Sequence, residues 1–131
     1  MTIAREAREA LLEEARRQAP LEACGLLGGR AGVAVTFYPC RNAAKSPVFF
    51  TIDAGEILAC MRTMERAGED LAGIFHSHPA TPALPSATDR LHAHYPKTPY
   101  LILSLAGGGT ELHAFDMSQD PPREIPIAEA P

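Results

Sequence analysis

Residues 71–89 read LAGIFHSHPATPALPSATD, and no other stretch constrains the fold as tightly. LAGIF is short and apolar, as a buried strand is. It runs without a break into His76-Ser77-His78-Pro79. Pro79, Pro82 and Pro85 cannot continue a strand, because each fixes φ and lacks an N–H. Ser86 and Asp89 follow, three residues apart. The chain must therefore bring a strand end, a rigid turn and a helix start together in one place.

The rest of the sequence supplies a sheet for that strand. Residues 2–19 suggest a helix, with Ile3, Ala7, Leu11 and Ala15 at four-residue spacing and Glu13 four before Arg17. Pro20 stops it. LEACGLLGG reads as a buried strand ending in a glycine turn at Gly28-Gly29, and GVAVTFY as its hairpin partner, over residues 21–38. CRNAAKSPVFF is an irregular connection. Asp53-Ala-Gly-Glu56 has the form of a capping box, so a second helix should run to about Ala67, before Gly68. Ser86 can cap a third helix ending near Tyr95-Pro96. YLILSL (100–105) is a continuous apolar strand suited to the sheet centre, and Gly107–Gly109 turn it into ELHAF. The proline-rich tail, about 118–131, should add at most an edge strand at 125–127 and then fray. These elements predict a single α/β domain over residues 1–131, a mixed central β-sheet with helices packed on it.

Composition narrows the function. Of 131 residues, 46% are hydrophobic and 21% charged, enough for one core. The net charge of −4 has no basic block, so no nucleic-acid partner is expected. No apolar run is long enough to span a bilayer, and the charged N-terminus lacks a signal-peptide core, so a cytoplasmic protein is expected. Cys24, Cys40 and Cys60 show neither metal spacing nor a disulfide framework and read as reduced thiols.

His76 and His78, two apart on a strand, share one face and can converge on one point, with Ser77 directed away. Alone, H-x-H is weak evidence. His92-Ala-His94 is a built-in contrast: in a predicted helix its imidazoles lie about 200° apart and cannot chelate together. These two read as surface histidines. Ser86-x-x-Asp89 is by itself a capping box, yet a capping serine keeps its hydroxyl at the mouth of such a site and the aspartate shares its face. Two histidines and one carboxylate suffice for a catalytic zinc with a position left for water. Hydrolysis also needs a proton shuttle, and no glutamate lies within residues 75–89.

His76-Ser-His78-Pro79, the seven-residue spacer to Ser86, and Asp89 resemble the JAMM (MPN-plus) metalloprotease motif, H-x-H-x7-S-x-x-D. PLEACGLLGG resembles that family's first strand, which carries its catalytic glutamate, and YLILSL with its hairpin looks like the closing strands. The likeness covers roughly residues 3–115. It implies a cytidine-deaminase-like MPN fold and zinc ligands His76, His78 and Asp89. Glu22 is implied as the acid/base and Ser86 as an oxyanion donor. The filled positions argue against the metal-free scaffold members. A thiol-protease reading of Cys24 has less support, since the residue sits in an apolar strand.

The chain lacks room for the insertions with which eukaryotic deubiquitinating relatives grip ubiquitin. It looks like the compact, stand-alone prokaryotic type, which is associated with ubiquitin-like sulfur carriers ending in Gly-Gly. The leading expectation is a zinc peptidase or isopeptidase acting after that tail, as monomer or homodimer. The alternatives are a zinc hydrolase of small amino-acid amides or cell-wall peptides, and a non-catalytic binding module like the RadC-type proteins.

Overall fold

The computed structural model describes residues 1–131. In chain order the elements are β1 (Thr2–Ile3), α1 (Arg5–Gln18), β2 (Cys24–Arg30), β3 (Val33–Cys40), α2 (Ala54–Ala67), β4 (Asp70–His78), α3 (Ala87–Leu91), β5 (Tyr100–Ser104), β6 (Glu111–Asp116), β7 (Arg123–Ile125) and β8 (Ala128–Glu129). All eight strands form one mixed sheet of order β7-β6-β5-β4-β2-β3-β1-β8. β4 pairs antiparallel with β2 and parallel with β5, so the histidine strand and the apolar YLILS strand lie at the centre.

Only Pro126 and Ile127 separate β7 from β8, yet these strands occupy opposite ends of the sheet. Three Cα steps reach about 11 Å at most. The sheet must therefore curl until its edges meet. It curls around α1, whose Ala7, Leu11 and Ala15 join Ile3, Leu27, Phe75, Leu101 and Leu103 in the larger core, with Ile125 and Ile127 packed against it. The expected spacing of Ile3, Ala7, Leu11 and Ala15 is that buried stripe, although Ile3 belongs to β1 and the helix starts at Arg5. Arg17 pairs with Glu14, one turn away, rather than with Glu13 alone. α2 packs on the other face, where Met64 meets Cys24, Leu26, Ile74 and Tyr100. Side chains alternate between the two faces along every central strand.

Several expectations are corrected by the structure. The tail does not fray after one edge strand; β7 pairs with β6 and β8 with β1, closing the curl. Asp53 is the N-cap of α2 but its side chain makes no capping bond, because Glu56 instead accepts the Arg41 N–H and ties the end of β3 to the helix. α3 stops at Leu91, not at Tyr95. It buries only Asp89, whereas helices in proteins are held chiefly by an apolar face, and the Tyr95 N–H is taken by the Tyr100 hydroxyl. Gly28 and Gly29 are not the turn: they lie inside β2, and the hairpin turns at Ala31-Gly32, both with positive φ.

Gly28 has a different task. Beside it the buried Glu69 carboxylate accepts hydrogen bonds from Thr36 (2.7 Å), Tyr38 (2.7 Å) and Arg30 (3.3 Å). A Cβ at Gly28 would overlap that carboxylate. Gly28→Ala should lower unfolding free energy by about 1–3 kcal/mol in urea denaturation. Gly55→Ala, in α2 with open space around it, should not lower it. Equal stability of the two variants would show that the Glu69 pocket is not tight.

Candidate active site

β4 alternates Ile74, His76 and His78 onto the α2 face, while Phe75 and Ser77 point toward α1. Three polar atoms meet at the end of that face. His76 Nε2 lies 3.1 Å from His78 Nε2 and 3.2 Å from Asp89 Oδ2, and His78 Nε2 lies 3.0 Å from the same oxygen. All three side chains are buried. Asp89 arrives by the capping box of α3: its N–H donates to Ser86 Oγ (3.0 Å), and the Ser86 N–H donates to Asp89 Oδ2 (2.9 Å). The two sequence readings of Ser86-x-x-Asp89 are thus both realised in geometry, since the cap is what aims the carboxylate.

The triangle fits a tetrahedral metal. Ligands about 2.0–2.1 Å from zinc stand about 3.3–3.4 Å apart, close to the separations here. His78 Nδ1 faces the Pro82 carbonyl at 2.8 Å. A carbonyl only accepts, so Nδ1 carries the proton and Nε2 presents its lone pair to the triangle. The proline spacer therefore sets a histidine tautomer as well as a turn. Burial pushes the His76 imidazole below its ordinary value, keeping it neutral. Burial would raise the Asp89 carboxyl, but its close contacts with His76 and His78 and the hydrogen bond from the Ser86 N–H outweigh it and hold Asp89 well below the usual carboxylate range. Two imidazoles and one carboxylate form a buried group consistent with a JAMM-type zinc site.

Glu22 lies just before β2. Cys24 stands opposite His76 in the register, and Ala23 is bonded to Ser77, so Glu22 comes level with His78 on the ligand face. The residue is 3% exposed and its Oε1 has no hydrogen-bond partner. Burial pushes its carboxyl up to about 8, against the pull of His78.

Three positioning residues escape a reading of the sequence. Ser77 Oγ accepts the Ala23 N–H at 2.7 Å, and the Ser77 N–H donates to the Ala23 carbonyl at 3.0 Å. This clip fastens the Glu22 segment to the histidine strand. Asn42 is the second. Its Nδ2 donates to the carbonyls of Glu22 (3.1 Å) and Phe49 (2.9 Å), and its Oδ1 accepts from Ala44 and Thr51. The Glu22 N–H donates to the Ser46 carbonyl at 3.0 Å. The loop 42–51 and the Glu22 segment are thereby one unit. Phe50, carried by that loop, stacks on His76 with centroids 4.6 Å apart. Asn and Ser in a proline-containing connection signal a turn, but their long-range partners leave no mark in the sequence.

His92 and His94 stay outside the ligand group, as expected, although His92 is the C-cap of α3 and His94 lies beyond it rather than within a helix. Cys24 faces the same side as His76, but burial pushes its thiol up to about 12, far from a thiolate nucleophile at neutral pH. All three cysteines are free.

Residues 4–118 match the family described as prokaryotic homologs of the JAB domain. The chain belongs to this family. It is 36% identical to a desampylase of Haloferax volcanii, over 98% of this chain and 95% of that protein. It is 43% identical to the CysO-cysteine peptidase of Mycobacterium tuberculosis, over 72% of this chain and 66% of that protein. The solution structure of a Desulfitobacterium hafniense protein superposes with a TM-score of 0.89 at 38% identity, covering 98% of this chain and 92% of that one. No helix of this JAB domain is long and apolar enough to cross a membrane.

The raised Glu22 carboxyl has a measurable consequence. In the metal-free protein the folded state keeps a proton on Glu22 up to about pH 8, whereas the unfolded chain releases it near pH 4.5. Between those values the folded state binds more protons, so stability falls as pH rises. Glu22→Gln removes that slope. In chelator, the variant should gain on the parent as pH rises from 5 to 8, by on the order of 1 kcal/mol or more. Parallel pH profiles would place Glu22 in water.

Proposed function

We propose that this JAB domain is a zinc-dependent peptidase or isopeptidase that cleaves after the C-terminal Gly-Gly of a ubiquitin-like sulfur-carrier protein. The observation that carries the reading is the buried convergence of His76, His78 and Asp89 with an unpartnered Glu22 carboxylate on the same face. The similarity to a desampylase and a CysO-cysteine peptidase supports the substrate class.

Zinc would be held by His76 Nε2, His78 Nε2 and Asp89 Oδ2, and would supply Lewis-acid activation of water at neutral pH. Glu22 ionises beside a divalent cation despite its burial. Its free Oε1 takes a proton from the attacking water and delivers it to the departing amine as the C–N bond breaks. The products are a free glycine carboxylate and the released amine. Ser86 Oγ already accepts the Asp89 N–H, so its own O–H is free to donate to the carbonyl oxygen as negative charge develops there. Asn42 and Ser77 keep the base at a fixed height above the ligands. The proline spacer and residues 43–52 would form the walls of the groove. Two glycines pass between such walls because they carry no Cβ.

The test is incubation with a sulfur-carrier fusion ending in Gly-Gly before a reporter amine. Cleavage should require about one zinc per chain and stop in chelator. His76→Ala should lose the metal, whereas His92→Ala and His94→Ala should keep it. Glu22→Gln should keep the metal and lose roughly 10²–10⁴-fold in rate. Ser86→Ala should lose roughly 10²-fold, and Cys24→Ser should stay active. A Val-Val tail should be cut far more slowly than Gly-Gly. Full activity in Glu22→Gln, or equal cleavage of both tails, would overturn the proposal.

A further inference from the structure

One step down β4 from His76, on the same face, an apolar cavity of about 210 Å³ opens between α2 and the segment 92–95. Its floor is Leu26, Ile74 and Tyr100, adjacent in the register across β2, β4 and β5. Ile52, Ile57 and Phe50 form its wall. Phe50 is shared with the ligand group, since its other contact is the face of His76. The cavity therefore abuts the site across Phe50. An apolar cavity of roughly 150 Å³ is enough to take benzene, so this one can take a branched aliphatic side chain. Tyr95, at its edge, is one of the large hydrophobic side chains that the surface exposes.

The register fixes which part of a substrate would enter. Along this face the rows are Glu22 with His78, then Cys24 with His76, then Leu26 with Ile74. Glu22, which delivers the proton to the departing amine, is at one end. The cavity is at the other, so the acyl side of the substrate runs toward it. The step from His76 to Ile74 is two strand residues, about 7 Å, the same length as two extended glycines.

We propose, building on the peptidase reading above, that this cavity is a specificity pocket for an apolar side chain on the residue immediately preceding the Gly-Gly pair. The preferred tail is then extended and ends in a leucine-like residue followed by two glycines.

Blocked X-Gly-Gly amides of a fluorogenic amine, with X as leucine, alanine or aspartate, test this beside the sulfur-carrier fusion. Leucine should exceed alanine in kcat/KM by about tenfold or more, with aspartate lowest. The free acids X-Gly-Gly should bind the zinc-loaded protein in the same order by calorimetry, independently of turnover. Thr51 lines the cavity but is itself exposed. Thr51→Trp should close the mouth and bring the leucine-to-alanine ratio close to one, while the peptide series on the unaltered protein decides the matter whether or not that variant folds. Equal rates for the three peptides, with the fusion still cut in a zinc-dependent way, would overturn the pocket and leave the peptidase reading standing. A preference for aspartate would assign the cavity mouth to His92 and His94 as an anion site and overturn it too. Failure to cut any tail, the fusion included, would overturn both.

Discussion

The pairing of Cys24 with His76 between β2 and β4 is the constraint on which the site depends. Strand side chains alternate, so a slip of one residue would carry every one of them to the opposite face. His76 and His78 would then point into the α1 core, and Ser77 would face the ligand position. The slip is opposed on both faces at once. Phe75, Leu27 and Leu101 fill the core around α1, while Ile74 and Leu26 meet α2. The reciprocal bonds between Ser77 and Ala23 extend that register one residue past the end of β2. They set Glu22 level with His78. The apolar packing of the sheet thus determines a polar distance at its end.

Within that frame, two carboxylates lie near the same histidines and are driven in opposite directions. Asp89 is buried but lies against two imidazoles and accepts from the Ser86 N–H, so its charge is stabilised far more than its burial penalises it. Glu22 is equally hidden and has an oxygen with no partner, so burial dominates and its proton is retained. Environments that push like groups apart are how one site obtains both a permanent anion and a group that moves protons. The backbone of Glu22, by contrast, is fully engaged with Ser46 and Asn42. The chain holds the residue by its main chain and leaves its Oε1 without a partner.

The convergence of His76, His78 and Asp89 and the central strands were legible because short-range patterns encode them. H-x-H at a strand end, a fixed proline spacer and S-x-x-D describe one continuous segment, and the apolar runs around it have the strand period. What the sequence hid depended on contacts between distant segments. Asp53-x-x-Glu56 has the same local form as Ser86-x-x-Asp89, yet only the second closes as a capping box, because the N–H of Arg41, fifteen residues upstream, captures Glu56. Gly28-Gly29 looked like a turn because the collision that demands glycine comes from Glu69. The two short tail strands appear only when the sheet has curled enough to offer them two edges. Asn42 looked like a loop residue because four of the five groups it joins lie along an irregular stretch without period and the fifth, the Glu22 carbonyl, is twenty residues upstream.

The early end of α3 bears on the same face of the sheet. A helix continued to Tyr95 would project over the outer face of β5 and compete for the gap above Ile74 and Tyr100. Instead the helix lasts long enough for one capping box, which is all that Asp89 needs. The Tyr95 N–H then turns to the Tyr100 hydroxyl and pins the segment at the edge of the gap. α2 covers the other side through Ile57 and Met64. Ile74, His76 and His78 are successive outer-face residues of a single strand, so the apolar cavity beside Ile74 and the polar group of His76, His78 and Asp89 are placed by one register.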